Sequence, residues 1–304
     1  MSPPCMEHAL FVYGEDQELA ARIGRFLEEG FEEGSATIMV VDARKHELLR
    51  DALGADGDRV QFIGCEAHYT RPEAAIADYD TTLRQRVRDG AARVRLFAEL
   101  PPFEGPHEYD RWTAYEAIVN RAFAHHPVSI VCGYDTRVVP AAVVKDMLGT
   151  HPRLLAETLT DSPGYQDPAL LARALAPAPA PVAGLAPVEL DGEASIVRRR
   201  LRALMTSASV APADADAMLL AVDEALANAE RHGGGVRELR AGRVDARFVC
   251  EVCDRGPGFD DALAGYLPPT AASEDGVGLW VARQVTRRLE LESTGDGLTV
   301  RLWV

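Results

Sequence analysis

The sequence predicts an α/β protein of two domains, and three observations carry that reading. Residues 1–173 alternate short apolar runs with amphipathic helical stretches. A segment of alternating Ala and Pro, ALAPAPAPVAGLAP (174–187), then breaks the pattern. Beyond it, in residues 188–304, longer strands of alternating polarity are set between helices. A chain of 304 residues is long enough for two separate cores.

In the first part the apolar runs are ALFVY (9–13), ATIMVV (36–41), RVQFIG (59–64), RVRLFAEL (93–100) and VSIVCGY (128–134). Each is short, rich in Val, Ile or Phe, and apolar on both faces, as strands buried in a parallel sheet are. Between them lie helical stretches such as EDQELAARIGRFLEEGF and YDTTLRQRVRDGA. Strand-helix alternation of this kind predicts a doubly wound parallel sheet. Ligands of such sheets bind beyond the carboxyl ends of the strands, which here carry Tyr13, Gly14, Asp42, Cys65, Glu99, Tyr134 and Asp135. After the first strand the chain reads YGEDQE. Acids stand where a phosphate cradle needs glycines, Lys and Ser or Thr, so no nucleotide is expected there. A plain structural domain and a sensor of a small ligand both remain open.

Several stretches in this part, HALFVYGEDQEL, FLEEGFEEGSATIMVV, RWTAYEAIVNRAF, SIVCGYDTR and THPRLL, arrive in the order seen in the MEDS sensory family. The resemblance spans residues 7–155 and implies a degenerate relative of the RecA/KaiC-type fold that binds a small signal. It draws attention to Glu99, Trp112, Tyr115, Glu116, Cys132, Tyr134 and Asp135. Core packing accounts for Trp112 and Tyr115 equally well.

The Ala-Pro segment suits an extended spacer, because proline suits neither helix interiors nor central strands. After it, IVRRRLRALM (196–205) reads as a basic helix, and RRRLR (198–202) as a solvated face or a docking patch. Next comes VDEALANAERHGGG (222–235). Ala and Leu favour helix, and Gly233 is placed to end it. Glu224, Asn228 and His232, at i, i+4 and i+8, project from roughly one face. Alone, the stripe reads as a solvated surface, and His232 as a cation favoured by the helix C-terminus.

The residues beyond Gly235 favour a functional role for that stripe. FVCEVCDRGPGFDD runs as an alternating strand into Asp254, then Gly256 and Gly258. In SEDGVGLWVARQV, Gly276 and Gly278 lead into a helix carrying Leu279, Val281, Ala282 and Val285, and GDGLTVRLWV closes with another strand. A strand-end carboxylate can accept the exocyclic amine of adenine, with glycines beside it for close approach. Glycines opening a helix leave free N–H groups for phosphates. An Asn oxygen suits Mg²⁺, and a Glu one turn earlier can act as a base.

The three elements in this order resemble the boxes of the GHKL ATPase and kinase family, over residues 188–304. That resemblance implies a Bergerat α/β sandwich binding ATP and Mg²⁺. In it Glu224 is the general base, Asn228 the Mg²⁺ ligand and Asp254 the adenine reader. Gly256, Gly258, Gly276, Gly278 and Leu279 frame the nucleotide, and Asp260–Asp275 forms a Pro/Ala-rich lid. No His lies between His151 and His232, against a histidine-kinase phosphoacceptor. The gyrase and MutL branches carry a transducer domain after this fold, which the sequence does not show. DEALANAERHG and the compact layout resemble the anti-sigma serine kinases of the RsbW type, and with a MEDS domain ahead, RsbA-like regulators. The partners implied are a sigma factor and an anti-anti-sigma (STAS-type) protein, with a homodimer left open. A non-catalytic partner-binding module and an atypical histidine-kinase-like protein remain the alternatives.

The net charge of -15 argues against nucleic acid as a direct partner. No run of about 18 apolar residues suggests a membrane span, and MSPPCMEHALF lacks a signal-peptide layout. With five scattered cysteines a disulfide framework is not expected, and the cytoplasm is the expected compartment. Cys250 and Cys253 form a C-x-x-C on an alternating run, so buried strand thiols are expected there rather than a zinc site.

Overall fold

The computed structural model describes residues 6–102, 106–175, 182–259, 261, 263–269 and 276–304. Residues 176–181 of the Ala-Pro segment and residues 260, 262 and 270–275 of the expected lid lie outside these. The chain divides into two units, Met1–Ala176 and Pro177–Val304.

The first unit runs β1 (Met6–Tyr13), α1 (Asp16–Glu32), β2 (Ala36–Val41), α2 (Ala43–Leu53), a 3₁₀ turn (Gly54–Arg59), β3 (Gln61–Gly64), α3 (Cys65–His68), α4 (Pro72–Arg88) and β4 (Val94–Ala98). It continues through α5 (Pro106–Ala122), β5 (Val128–Asp135), α6 (Ala141–Thr150), β6 (Arg153–Leu155), β7 (Leu159–Asp161) and α7 (Pro168–Leu175). Among the described residues the sheet has the order β3-β2-β4-β5-β1-β6-β7. All neighbours pair in parallel except the short hairpin β6-β7. Every residue of β5 is buried, as a central strand covered on both faces requires. From α1, Leu19, Ile23 and Leu27 are fully buried at i, i+4 and i+8, each worth about 1.5–3 kcal/mol of transfer free energy. The Asp42 side chain accepts the Lys45 amide at 2.8 Å and caps α2. Pro72 opens α4, where its missing N–H costs nothing.

Two departures from the sequence pattern have local causes. The run 59–64 becomes strand only from Gln61, because the 3₁₀ turn takes Arg59 and the Val60 amide closes it on the Gly57 carbonyl. The hairpin β6-β7 is too short to show period-two alternation and was not anticipated.

The second unit runs β8 (Ala186–Pro187), α8 (Ala194–Ser207), α9 (Pro212–His232), β9 (Val236–Val244), β10 (Arg247–Asp254), α10 (Val277–Val285), β11 (Arg288–Thr294) and β12 (Gly297–Trp303). Its antiparallel sheet has the order β11-β12-β10-β9-β8, again among the described residues. The helices supply Leu201, Met205, Met218 and Val222 to a core completed by Leu239, Cys250, Val252 and Leu302 from the sheet. This is an α/β sandwich, one helical layer on one sheet. The two ends of the Ala-Pro segment already belong to structure: α7 runs to Leu175, and Ala186–Pro187 forms an edge strand, where proline is tolerated. Strand β11 was not separated from the preceding helix in the sequence. The break comes at Thr286, whose hydroxyl donates to the Ala282 carbonyl at 2.7 Å as the backbone turns extended.

Cys250 and Cys253 are free and buried; Cys250 lies in the core, and Cys253 faces Thr299 at 3.3 Å. The basic run on α8 is largely ion-paired within its own unit. Arg198 meets Asp223, Arg200 meets Asp191 at 2.5 Å, and Arg202 meets Asp216 at 2.7 Å. No described helix is long and apolar enough to cross a membrane.

Candidate functional site

In the second unit the three sequence boxes come together around glycines. Helix α9 carries Glu224 and Asn228 one turn apart, half-buried, on the side facing the start of α10. There Gly278 has no side chain, and a Cβ at that position would stand 2.6 Å from Glu224 Oε2 and 3.3 Å from Asn228 Nδ2. The carboxylate and the amide thus meet over the first turn of α10. Gly276, at φ 90°, turns the chain into this helix in a left-handed conformation, with no side chain capping its amides. Asn228 Oδ1 accepts from Arg231 at 3.0 Å. A carbonyl oxygen has two lone pairs, so one is left. His232, the third member of the stripe, is exposed and does not join the pair.

At the other end, β10 delivers Asp254 through a shift of register against β9 between Cys253 and Asp254, the kind of irregularity that re-aims a side chain. Asp254 is 7% exposed. Its Oδ1 accepts the Gly256 amide at 2.9 Å and the Leu298 amide at 2.8 Å. Its Oδ2 accepts nothing among the described residues and lies against Gly233, where a Cβ would collide with it. Gly233 therefore has a different job from the one its position suggested. Its φ of -98° is ordinary, so it is not a left-handed cap; it is glycine because Asp254 packs on it. The Arg255 amide donates to the carbonyls of Gly233 and Gly235, at 2.9 and 3.1 Å, and ties the glycine stop of α9 to the Asp-x-Gly-x-Gly turn. Gly258 abuts Ser293, whose hydroxyl accepts the Phe259 amide at 2.8 Å. Leu279 packs on the helical core. The described part of the expected lid is pinned by Arg283, which donates to the Ala264 carbonyl at 2.8 Å and lies over the Tyr266 ring.

The first unit has its own cavity, of about 430 Å³, at the carboxyl ends of the strands. Of the strand-end residues the pattern pointed to, Asp42, Cys65, Glu99, Tyr134 and Asp135 line it. Tyr13 lies behind, its hydroxyl donating to Glu99 Oε1 at 2.6 Å. Gly14 stands apart, its amide donating to Glu18 at 3.3 Å. The cations here were not singled out in the sequence. Buried Lys45 pairs with Glu99 and stands 3.8 Å from Asp135, and Arg137 grips Asp135 and Asp16, each at 2.7 Å. Burial pushes the Glu99 carboxyl up despite Lys45, and pushes the Cys65 thiol up to about 11. Trp112 lines the cavity and packs edge-on against Tyr69 and Tyr115. Glu116 and Cys132 do not line it. They sit behind Tyr134, with His8 and His151.

Family models match both units. Residues 7–152 match the MEDS domain, described as the methanogen/methylotroph, DcmR sensory domain, and residues 187–304 match the histidine kinase-like ATPase domain. The search of curated proteins finds no match. The chain is a MEDS domain followed by a histidine kinase-like ATPase domain.

Proposed function

We propose that this pairing of a sensory domain with an ATPase-type domain is an anti-sigma regulator. In this reading the second unit binds ATP with Mg²⁺, sequesters a sigma factor and phosphorylates a serine of an anti-anti-sigma partner. The first unit takes a small-molecule signal in its cavity. One observation carries the nucleotide part: Asp254 is held by two backbone amides through Oδ1, while Oδ2, seated on Gly233, accepts no hydrogen bond among the described residues. An oxygen so placed suits an N–H donor such as the exocyclic amine of adenine.

ATP with Mg²⁺, when bound, supplies the phosphoryl group to be transferred. The chain's own residues divide the remaining work. The uncapped first turn of α10 offers amides to phosphate oxygens. Asn228 Oδ1, which accepts from Arg231 with one lone pair, keeps its second for the metal. Glu224 takes the proton of the serine hydroxyl. The sigma-factor part is supported by DEALANAERHG, which resembles the anti-sigma serine kinases; the lack of a His between 151 and 232 argues against a histidine phosphoacceptor.

Titration calorimetry of the full chain with ATP and Mg²⁺ tests the nucleotide part. Asp254→Asn puts an amide N–H against the amine, and the affinity is expected to fall about 10- to 100-fold, the worth of one hydrogen bond to a charged group. Equal heats for wild type and variant would rule Asp254 out. Incubation with labelled ATP and candidate sigma and STAS-type proteins tests the transfer. The expected product is an acid-stable phosphoserine; an acid-labile one favours a histidine-kinase-like protein. Sigma-factor capture without any phosphorylation favours a binding module.

A further inference from the structure

Behind the sensor cavity, four buried side chains from four elements point their donor atoms at one another: His8 on β1, Glu116 on α5, Cys132 on β5 and His151 just after α6. We propose that they bind one divalent transition-metal ion of the zinc class.

The distances match a tetrahedral site. Zn–N and Zn–O bonds near 2.0–2.1 Å and Zn–S near 2.3 Å imply tetrahedron edges of about 3.3–3.7 Å. His8 Nε2 lies 3.3 Å from Cys132 Sγ and 3.4 Å from Glu116 Oε2. Glu116 Oε2 lies 3.6 Å from Cys132 Sγ and 3.7 Å from His151 Nε2. Four of the six edges already have the right length, and all four donor atoms lie within 4.8 Å of one another.

The proton positions agree. Asn120 Nδ2 donates to the Thr150 and Glu116 carbonyls, at 2.7 and 3.2 Å, so its Oδ1 is the atom 3.1 Å from His8 Nδ1. His8 therefore donates through Nδ1. His151 Nδ1 lies 2.9 Å from the Met147 carbonyl, which can only accept, so His151 too carries its proton on Nδ1. Both imidazoles turn the bare Nε2 inward, as the outer hydrogen-bond partners of metal-binding histidines arrange. Tyr134 donates to Glu116 Oε1 at 3.1 Å and leaves Oε2 for the cluster. His151 Nε2, in a residue 0% exposed, has no hydrogen-bond partner among the described residues.

The charges balance as well. A thiolate and a carboxylate neutralise a divalent ion, so the buried site is uncharged overall. Two neutral imidazoles complete a closed tetrahedral set, with soft and borderline donors that suit zinc rather than Mg²⁺ or Ca²⁺. Tyr134 and Met147, which hold Glu116 and His151, also line the cavity, so the ion braces its floor.

The test is metal analysis of the full chain expressed with added zinc and passed through a weak chelator. One zinc per chain is expected. Replacement by Co²⁺ should give the strong visible bands of a tetrahedral site and a thiolate charge-transfer band in the near ultraviolet. Cys132→Ser and His151→Gln should each lose the metal, while Asp80→Asn, in the separate Asp80–His125–His126 group, should keep it. A metal-free but folded wild type would overturn the proposal. So would an octahedral Co²⁺ spectrum, or full zinc in both ligand variants. The Co²⁺ spectrum needs only wild-type protein, so it decides even if the variants do not fold.

Discussion

The two sites place their polar groups in opposite ways. In the ATPase-type unit, Asp254 has one oxygen held by amides and one that accepts nothing among the described residues, Asn228 Oδ1 keeps a second lone pair, and glycines seat both side chains. Beside the sensory cavity, Tyr13, Glu99, Lys45, Asp135, Arg137 and Asp16 close on one another in a chain of pairs that runs from the buried Tyr13–Glu99–Lys45 end to the exposed Arg137–Asp16 end. A half-satisfied group is expensive unless a ligand completes it, whereas a closed network carries its own partners. The difference teaches where substitutions should be felt: in ligand handling in the second unit, and in stability in the first.

The largest expected effect would break this contrast most directly. Glu224→Ala should lower phosphoryl transfer about 10²- to 10⁴-fold, the usual worth of a general base, with the thermal midpoint unchanged. A large fall in midpoint would mean that Glu224 is a structural partner, and the contrast would collapse. Next, Lys45→Met leaves Glu99 and Asp135 buried without their shared cation. It should cost about 3 kcal/mol, read as faster hydrogen exchange in β1, β4 and β5 with nucleotide affinity untouched.

Gly233→Ala separates shape from backbone freedom. Its φ of -98° suits alanine, so any loss comes from the Cβ striking Asp254. About 1–3 kcal/mol is expected, as for overpacking, seen both as weaker nucleotide binding and as lower stability. Retained affinity would show that Asp254 can move aside.

The smallest effect is in acid. Hydrogen bonds from Arg44 and Arg137 hold Asp16 down to about 2, and those from Arg137 hold Asp135 below the usual range. A depressed carboxylate stabilises the fold above its unfolded pKa, near 3.9, and that contribution is lost as pH falls toward the folded value. The first unit should therefore soften between about pH 4 and 2. Asp16→Asn should remove part of that slope and leave neutral-pH stability nearly unchanged, since exposed pairs contribute little. Parallel melting curves of wild type and variant across this range would show it.

How far each site was legible depends on how its residues are spread along the chain. Glu224 and Asn228 share one helix, and Asp254, Gly256 and Gly258 share one turn. Their spacing reports their geometry, so the ATPase-type boxes could be read directly. His8, Glu116, Cys132 and His151 come from four elements, and no spacing links them. Glu116 and Cys132 drew attention only through family resemblance, and the two histidines not at all. Lys45 and Arg137 look in the sequence like ordinary surface cations of a helix and a loop. The sheet order makes them partners of Glu99 and Asp135, because β2, β4 and β5 lie side by side.

The sequence by itself determined the α/β class, the strand runs of the first sheet, the helix bearing Glu224 and Asn228, and the strand ending in Asp254. Local propensity and periodicity act over a few residues, and these features are local. Tertiary structure alone decided that Gly278 and Gly233 are glycine for the sake of Glu224 and Asp254 in contact with them. It also separated β11 from α10, and gathered two histidines, a thiol and a carboxylate in one dry cluster. Such outcomes depend on which distant residues a sheet brings within a few ångströms, and no local pattern encodes that.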